Sequence, residues 1–438
     1  MNDLNQICGD KVKAAKTIDE LKTMLGETVT IEGCVHRVRD MGSIRFFVLR
    51  TGRYLIQTVY AADECSCSVD DLKVGCYVRV TGLLREEPRA VYGLELSIRS
   101  AELLSAPQEE YPLKVGNRRL GCSLDANLDN RSVALRNPYE RAVFKLTEGV
   151  VSGFREFMLQ NGFTEIHSPK IVAAGAEGGA NLFELDYFEQ KAYLSQSPQF
   201  YKQTAVAFFD RVFEVGPVFR AERHSTSRHL NEYMGLDFEM GFIDSMVDVM
   251  ETETAMLKYV CQYLKDHYQN ELMILNPDIP DIKTIPSITF MEAVELLGGR
   301  QRYDLSPDDE VALCEYAKKE FDSEFIFVTH FPAAKRPFYA MNDREDSRFA
   351  LSFDLLFRGL EITTGGQRIH DYNEQVEKIK AMNMDPDDLE VYLKIHKYGM
   401  PPHGGLGIGL ERLVMKLLDR ANIRETSMFP RDINRLDP

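Results

Sequence analysis

The sequence predicts an α+β protein in two parts, a small all-β unit followed by a larger unit of mixed helices and strands. Three observations carry this. Short alternating runs, punctuated by glycines and charged turns, fill residues 28–106 with no long helix among them. From Asn137 onward the period changes, and Val143, Leu146, Val150, Phe154 and Phe157 recur at three- and four-residue spacing. Between the two lies a polar stretch with Pro107, Pro112 and Gly116 and little periodicity, which reads as a linker. The expected division is therefore residues 1–106, a hinge over 107–136, and residues 137–438.

In the first unit the alternation places strands at 28–35, 44–49, 54–59, 77–84 and 94–104, with a helical piece at 69–73 between the third and fourth. Five such strands suit a small closed barrel, best matched by an OB-fold. In the second unit the helix over 143–157 runs into a strand at 163–169 ended by Pro169. A second long amphipathic helix covers 246–268. A last helix begins near Leu410, with Leu413, Val414, Leu417 and Leu418 facing a sheet. Residues 281–327 mix short helices and loops and show no evident chemistry.

The chain has 438 residues, 44% hydrophobic and 27% charged, enough for two sizeable cores. A net charge of −16 argues against a general nucleic-acid binder, although local basic and aromatic patches can act within an acidic body. The eight cysteines are scattered, with Cys65 and Cys67 the only close pair, so neither a disulfide framework nor a zinc site is expected. No apolar run is long enough to span a bilayer, and the N-terminus lacks a signal-peptide layout. The expectation is a cytoplasmic protein with no membrane partner.

Residues 213–240 hold the densest chemistry. Phe213, Val215, Val218 and Phe219 read as a buried strand ending in Arg220-Ala221-Glu222, and Leu236, Phe238 and Met240 bring the chain back. Arg220 can fork onto a phosphate, and Glu222 can accept from an exocyclic amine. An ordinary hairpin with a surface ion pair is the alternative. In Ser197-Pro198-Gln199-Phe200-Tyr201-Lys202 a helix starts, with Ser197 as N-cap and Pro198 at its first position, putting Gln199 and Lys202 on one face. Asp354 and Glu361 can converge on a hard cation, and Arg368 follows a Gly-Gly pair. The glycines at 405, 407 and 409 would let a flat base approach the backbone ahead of Arg412.

Taken in order, 162–169, 213–240 and 404–413 resemble motifs 1, 2 and 3 of the class II aminoacyl-tRNA synthetases, in wording most like the compact archaeal and eukaryotic aspartate-specific type. The resemblance runs from about Thr30 to Pro438. It implies an OB-fold anticodon-binding barrel and a catalytic domain built on an antiparallel sheet flanked by helices. It also implies ATP, L-aspartate and tRNA(Asp) as substrates, Mg²⁺ as cofactor and a homodimer with Pro169 at the interface.

By the same resemblance Arg220 and Arg412 are catalytic. ATP falls to Arg220, Glu222, Arg228, His229, Leu230, Tyr233, Glu361, Gly409 and Arg412, with Tyr233 against one side of adenine and Arg412 either stacking on its other side or reaching the γ-phosphate. Aspartate falls to Glu177, Gln199, Lys202, Arg220, Asp237, Thr364 and Arg368. Asp354, Glu361 and Thr364 form the metal site. Thr364 stands where many relatives carry serine and keeps the hydroxyl. Asp237 stands where asparagine-specific relatives tend to carry Glu, which favours aspartate over the alternative of an asparaginyl-tRNA synthetase. A non-catalytic RNA-binding paralogue should have lost motif arginines or metal carboxylates, and all are present here. In the barrel, Phe46, Gln57 and Glu95 match positions that stack on or hydrogen-bond to anticodon bases. His36 and Pro88, read as strand-end residues near the third anticodon base, raise tRNA(Asn) as a second acceptor.

Overall fold

A computed structural model describes Gly9 and residues 13–437 apart from 66, 174–181, 224, 225, 300 and 301. The chain divides into two compact units between Asn137 and Pro138. Residues 107–136 group with the N-terminal unit and contain two short helices, Leu124–Asp129 and Arg131–Ala134.

The N-terminal unit is a closed five-stranded barrel of β1 (Thr28–Asp40), β2 (Ile44–Arg50), β3 (Leu55–Ala61), β4 (Tyr77–Glu86) and β5 (Leu94–Ser105), in the order β1-β2-β3-β5-β4. Alternation does the work expected of it: Val29, Ile31, Phe47, Leu49, Ile56, Val78, Val80, Leu96 and Ile98 point inward and fill the barrel. The helix expected at 69–73 is absent. That segment forms turns, pinned by burial of Val69 and Leu72, because five residues holding Asp70 and Asp71 gain more from packing two side chains than from one helical turn.

The second unit is built on an eight-stranded sheet. Its strands are β6 (Thr164–Glu165), β10 (Arg211–Phe219), β11 (Glu232–Gly241), β12 (Ser287–Thr289), β13 (Phe325–Thr329), β14 (Ser352–Phe357), β15 (Leu360–Arg368) and β16 (His403–Gly409). The spatial order is β12-β13-β14-β15-β16-β11-β10-β6. All pairs are antiparallel except β6–β10 and β12–β13, so the sheet is mixed, with a parallel strand at each edge. A separate three-stranded sheet joins β7 (Ile171–Val172), β9 (Gln190–Leu194) and β8 (Glu184–Tyr187). The strand expected at 163–169 shrinks to β6.

One face of the large sheet is apolar and carries the core. Leu236, Phe238, Leu406 and Ile408 pack against Leu146, Val150 and Phe154 of the Pro138–Gln160 helix and Met256, Val260 and Leu264 of the Met246–His267 helix. Period-two alternation then turns Asp237, Glu239, Gly405 and Gly407 to the opposite face. The fold thus separates a greasy side from a polar one, and the polar side holds the site.

One buried polar group lies on the helix side. Glu253 is fully buried, accepts from Thr363 Oγ1 at 2.5 Å through Oε1, and has no partner at Oε2. Burial pushes its carboxyl up to about 8 from an ordinary 4.5. Because the folded state holds this proton more tightly than the unfolded chain, stability is highest below pH 4.5 with respect to this group and falls as pH rises toward 8. Glu253→Gln keeps the carbonyl acceptor and cannot ionise. Urea midpoints should show the variant more stable than the parent at pH 8, with the difference shrinking toward pH 5.

Candidate active site

The polar face opens into a cavity of about 420 Å³. Its lining includes Gln199, Lys202, Arg220, Glu222, Arg228, His229, Leu230, Tyr233, Asp237, Glu361, Thr364, Arg368, Gly409 and Arg412. Segments more than 200 residues apart in sequence therefore meet in one concavity. The reading of the hairpin as a plain surface feature does not survive this placement.

The floor is a buried ionic network. The helix carrying Lys202 spans Gln199–Phe209, starting one residue later than expected, with Pro198 as its cap residue and Ser197 Oγ accepting from the Gln199 N–H at 3.2 Å. Lys202, 1% exposed, donates to Asp237 Oδ1 at 3.0 Å and to the Leu406 carbonyl at 2.7 Å, and lies 3.4 Å from Glu239 Oε2. Arg368 donates through Nε to Glu239 Oε1 at 2.9 Å and through Nη2 to the Gly405 carbonyl at 2.9 Å. Its Nη2 also reaches Gln199 Oε1 at 3.4 Å.

Two cations thus face two carboxylates out of water, where single unpaired charges would be untenable. Burial opposes ionisation of Glu239, but Arg368 and Lys202 outweigh it and hold its carboxyl below the ordinary range. Burial prevails at Asp237, whose carboxyl is raised despite Lys202. Burial likewise drives His403 down to about 4, so it stays neutral, with Nε2 2.9 Å from Gln203 Nε2 and Nδ1 2.9 Å from the Pro401 carbonyl.

Glu239 did not stand out in the sequence, yet it continues the alternation Tyr233, Gly235, Asp237, and that rhythm was the available signal. The role of two glycines also changes. A Cβ on Gly405 would sit 2.2 Å from the Phe238 carbonyl and 2.3 Å from Glu239 Oε2, and one on Gly407 would sit 2.9 Å from Asp237 Oδ1. These glycines make room for the network's carboxylates. Gly409 is the open one, with only Arg412 carbons at 3.7 Å. Gly405→Ala should lower the melting temperature and weaken whatever the floor binds, whereas Gly409→Ala should fold normally. Thermal melts of both variants check this.

The upper wall is cationic. β10 stops at Phe219, so Arg220 and Glu222 lie just beyond it, held by Asn231, whose side-chain amide donates to the Arg220 carbonyl at 2.7 Å and the Glu222 carbonyl at 2.9 Å. His229 Nε2 stands 4.0 Å from Glu222, and its Nδ1 lies 2.6 Å from Thr226 Oγ1. Leu230 packs with Leu360, Met415 and Ile423, against which Tyr233 rests. Arg412 Nη1 donates to the Glu361 carbonyl oxygen at 3.0 Å and lies 3.6 Å from its Oε1. Arg228 pairs with Glu310, a residue from the segment 281–327 where sequence patterning found no chemistry. Lys335, Arg336 and Tyr339, also unforeseen, line the cavity as well, with the Tyr339 ring centre 5.4 Å from the Arg368 guanidinium carbon.

Asp354 and Glu361 sit on neighbouring strands, with Thr364 paired opposite Asp354 and its Oγ1 3.1 Å from Glu361 Oε1. Asp354 Oδ2 accepts from Arg336 at 2.8 Å, while Oδ1 is buried and unpartnered. Burial raises the Asp354 carboxyl to about 6, with Arg336 opposing and Glu361 adding. Among the described residues no three His, Cys, Asp or Glu side chains form a complete metal cage. Two carboxylates with an orphaned oxygen instead fit a hard cation that takes its remaining oxygens from water and phosphate.

Glu177 lies outside the described residues. Pro169 is exposed. In the barrel, Phe47 points into the core while its neighbour Phe46 stays half-exposed, so Phe46 is not a core aromatic. Gln57 Nε2 donates to Glu95 Oε2 at 2.6 Å on the adjoining strands. Pro88 is exposed in a turn. His36 departs from expectation: it is buried within the long strand β1, at the bulge between Val35 and Arg37, and not at a strand end.

A mixed sheet with an arginine-lined cavity on one face follows a five-stranded barrel in the chain. The family described as tRNA synthetases class II (D, K and N) matches residues 123–433, and an OB-fold nucleic acid binding domain matches residues 29–104. The chain belongs to the class II tRNA synthetases. It is similar to the aspartate–tRNA(Asp/Asn) ligase of Deinococcus radiodurans, 44% identical over 96% of this chain and 98% of that one. It is also similar to the aspartate–tRNA(Asp) ligase of Pyrococcus furiosus, at 39% over 94% and 97%. Among solved structures, Pyrococcus horikoshii asparaginyl-tRNA synthetase with asparaginyl-adenylate matches with a TM-score of 0.90 at 31% identity, covering 98% of this chain and 100% of that one.

Proposed function

We infer that the protein is an aspartate–tRNA ligase, an enzyme that activates L-aspartate with ATP and transfers it to the 3′ end of tRNA(Asp). The observation that carries this is the buried Lys202–Asp237–Glu239–Arg368 network at the floor of the cavity whose wall holds Arg220, Arg228 and Arg412. Lys202 and Arg368 suit a substrate side-chain carboxylate, and the carboxylates of Asp237 and Glu239 hold them in place. The arginine wall suits three phosphates. Aspartate contacts fall to Gln199, Lys202, Arg220, Asp237, Thr364 and Arg368, with Glu177 assigned to the same substrate.

In the first step the α-carboxylate oxygen of aspartate attacks the α-phosphorus, and the bond to the oxygen bridging the α- and β-phosphorus breaks, releasing pyrophosphate. The nucleophile is already anionic, so no protein base is needed. Arg220 and Arg412 position the reactants and neutralise charge developing on the phosphoryl oxygens. Mg²⁺, when bound, supplies further charge neutralisation at the phosphates, and Asp354, Glu361 and Thr364 would hold it. In the second step the 3′-hydroxyl of the tRNA terminus attacks the aspartyl carbonyl, and AMP leaves.

Glu222, His229, Leu230, Tyr233 and Gly409 then frame the nucleoside, and Phe46, Gln57 and Glu95 the anticodon. We assign the working unit to a homodimer through Pro169 and the place of action to the cytoplasm. Among the described residues no helix is long and apolar enough to cross a membrane. tRNA(Asn) is proposed as a second acceptor. The Deinococcus relative and that of Thermus thermophilus, 43% identical, carry both acceptors in their names, while the Pyrococcus furiosus relative carries one. Aminoacylation of purified tRNA(Asp) and tRNA(Asn) tests both statements. Charging of both is expected; a large preference for tRNA(Asp) would remove the second acceptor, and charging of neither with aspartate would remove the assignment.

A further inference from the structure

The Pro307–Phe321 helix brings one carboxylate, that of Glu310, against Arg228 of the cavity lining. In its first turn the acidic residues divide their duties. Asp309 closes a capping box with Ser306 and pairs with Arg302, so it serves the helix itself. Asp308 is exposed. Glu310, 7% exposed, turns toward the nucleotide wall. A single oxygen, Oε2, accepts both from Arg228 Nη2 and from the main-chain N–H of Glu361 at 3.0 Å. The Glu361 carbonyl in turn accepts from Arg412 Nη1 at 3.0 Å. Arg228, Glu310, Glu361 and Arg412 therefore form one connected row, joining the hairpin loop to the strand that carries a metal-site carboxylate.

We propose that Glu310 is a positioning residue for the triphosphate, holding the Arg228 guanidinium and the Glu361 main chain at a fixed separation before ATP arrives. This rests on the reading of the cavity as the ATP and aspartate site. The physical ground is preorganisation. An arginine on a polar loop loses rotamer and backbone freedom when it grips a phosphate, and a buried anchor meets that cost in advance. The anchor is not itself expected to touch substrate.

The test is ATP–pyrophosphate exchange by the full chain, comparing Glu310→Gln with the parent and with Asp308→Asn, which removes a charge from the same turn without facing the cavity. Glu310→Gln is expected to raise the KM for ATP about tenfold, leaving the KM for aspartate and the melting temperature near the parent's, while Asp308→Asn changes neither. Combining Glu310→Gln with Arg228→Ala should be no worse than Arg228→Ala alone, because the separation Glu310 fixes matters only while the Arg228 guanidinium is there to use it. An ATP KM within about twofold of the parent's, or effects of the two substitutions that simply multiply, would overturn the inference. So would equal rises in both KM values with a fallen melting temperature, since that marks a general structural role. If the parent itself shows no aspartate-dependent exchange, the underlying reading has failed, and not this extension of it.

Discussion

Arg368→Ala should cost the protein both stability and aspartate binding, and it is the substitution with the largest combined effect. Removing this guanidinium leaves Glu239, with no exposed surface, facing only Lys202 at 3.4 Å and the Gln199 amide at 3.5 Å. Breaking a buried pair on one side typically costs about 3–5 kcal/mol, because the surviving charge stays out of water. Loss of the proposed Arg368 contact with the substrate carboxylate should remove a further ~2–5 kcal/mol of transition-state binding, read as a fall in kcat/KM for aspartate. Arg368→Lys restores a charge without the planar fork, so it should recover stability more than activity. The double variant Arg368→Gln with Glu239→Gln removes both charges together. It should melt closer to the parent than Arg368→Ala does, yet remain inactive, which separates the structural cost from the catalytic one.

Arg412→Ala should behave in the opposite way, folding well and reacting poorly. Its pairing with Glu361 is long, at 3.6 Å, and partly open to solvent, and such pairs contribute little, under about 1 kcal/mol. What it supplies, on the proposed reading of the cavity, is a guanidinium that neutralises charge on the phosphoryl oxygens. Removing one such preorganised charge commonly costs about 10²–10³ in kcat. The melting temperature should hardly move, and the KM for aspartate should change little, since Arg412 takes no part in the Lys202–Arg368 floor. A large stability loss instead would show that Arg412 is needed for the fold and not for charge neutralisation.

How much of this was legible in the sequence depended on range. Strands with one buried face declared themselves by alternation: the five barrel strands and the hairpin at 213–240 lie where that rhythm put them, except that β1 runs on from the expected end at Val35 to Asp40. Long amphipathic helices did likewise. The short edge strands β6 and β12 did not, because two or three residues carry no period and exist only through pairing with a neighbour. Motif residues such as Arg220, Arg368 and Arg412 were found because their local wording is unusual.

Glu310 and Arg336 were missed because nothing near them in sequence marks them. They matter only through contacts with Arg228 and Asp354, far off along the chain. His36 was misplaced because the bulge that buries it depends on the partner strand. Gly405 and Gly407 were assigned to the ligand when their reason lies in the carboxylates of the adjacent strand, a cross-strand fact invisible to a single segment.

The central claim is that distant segments assemble one pocket that joins a small dicarboxylic amino acid to a nucleotide. Amino-acid-dependent exchange of labelled pyrophosphate into ATP, run without tRNA and with aspartate, asparagine or lysine in turn, addresses it most directly. Label should enter ATP with L-aspartate and stay near background with the other two. Incorporation driven by asparagine or lysine in place of aspartate, or by none of the three, would contradict the account.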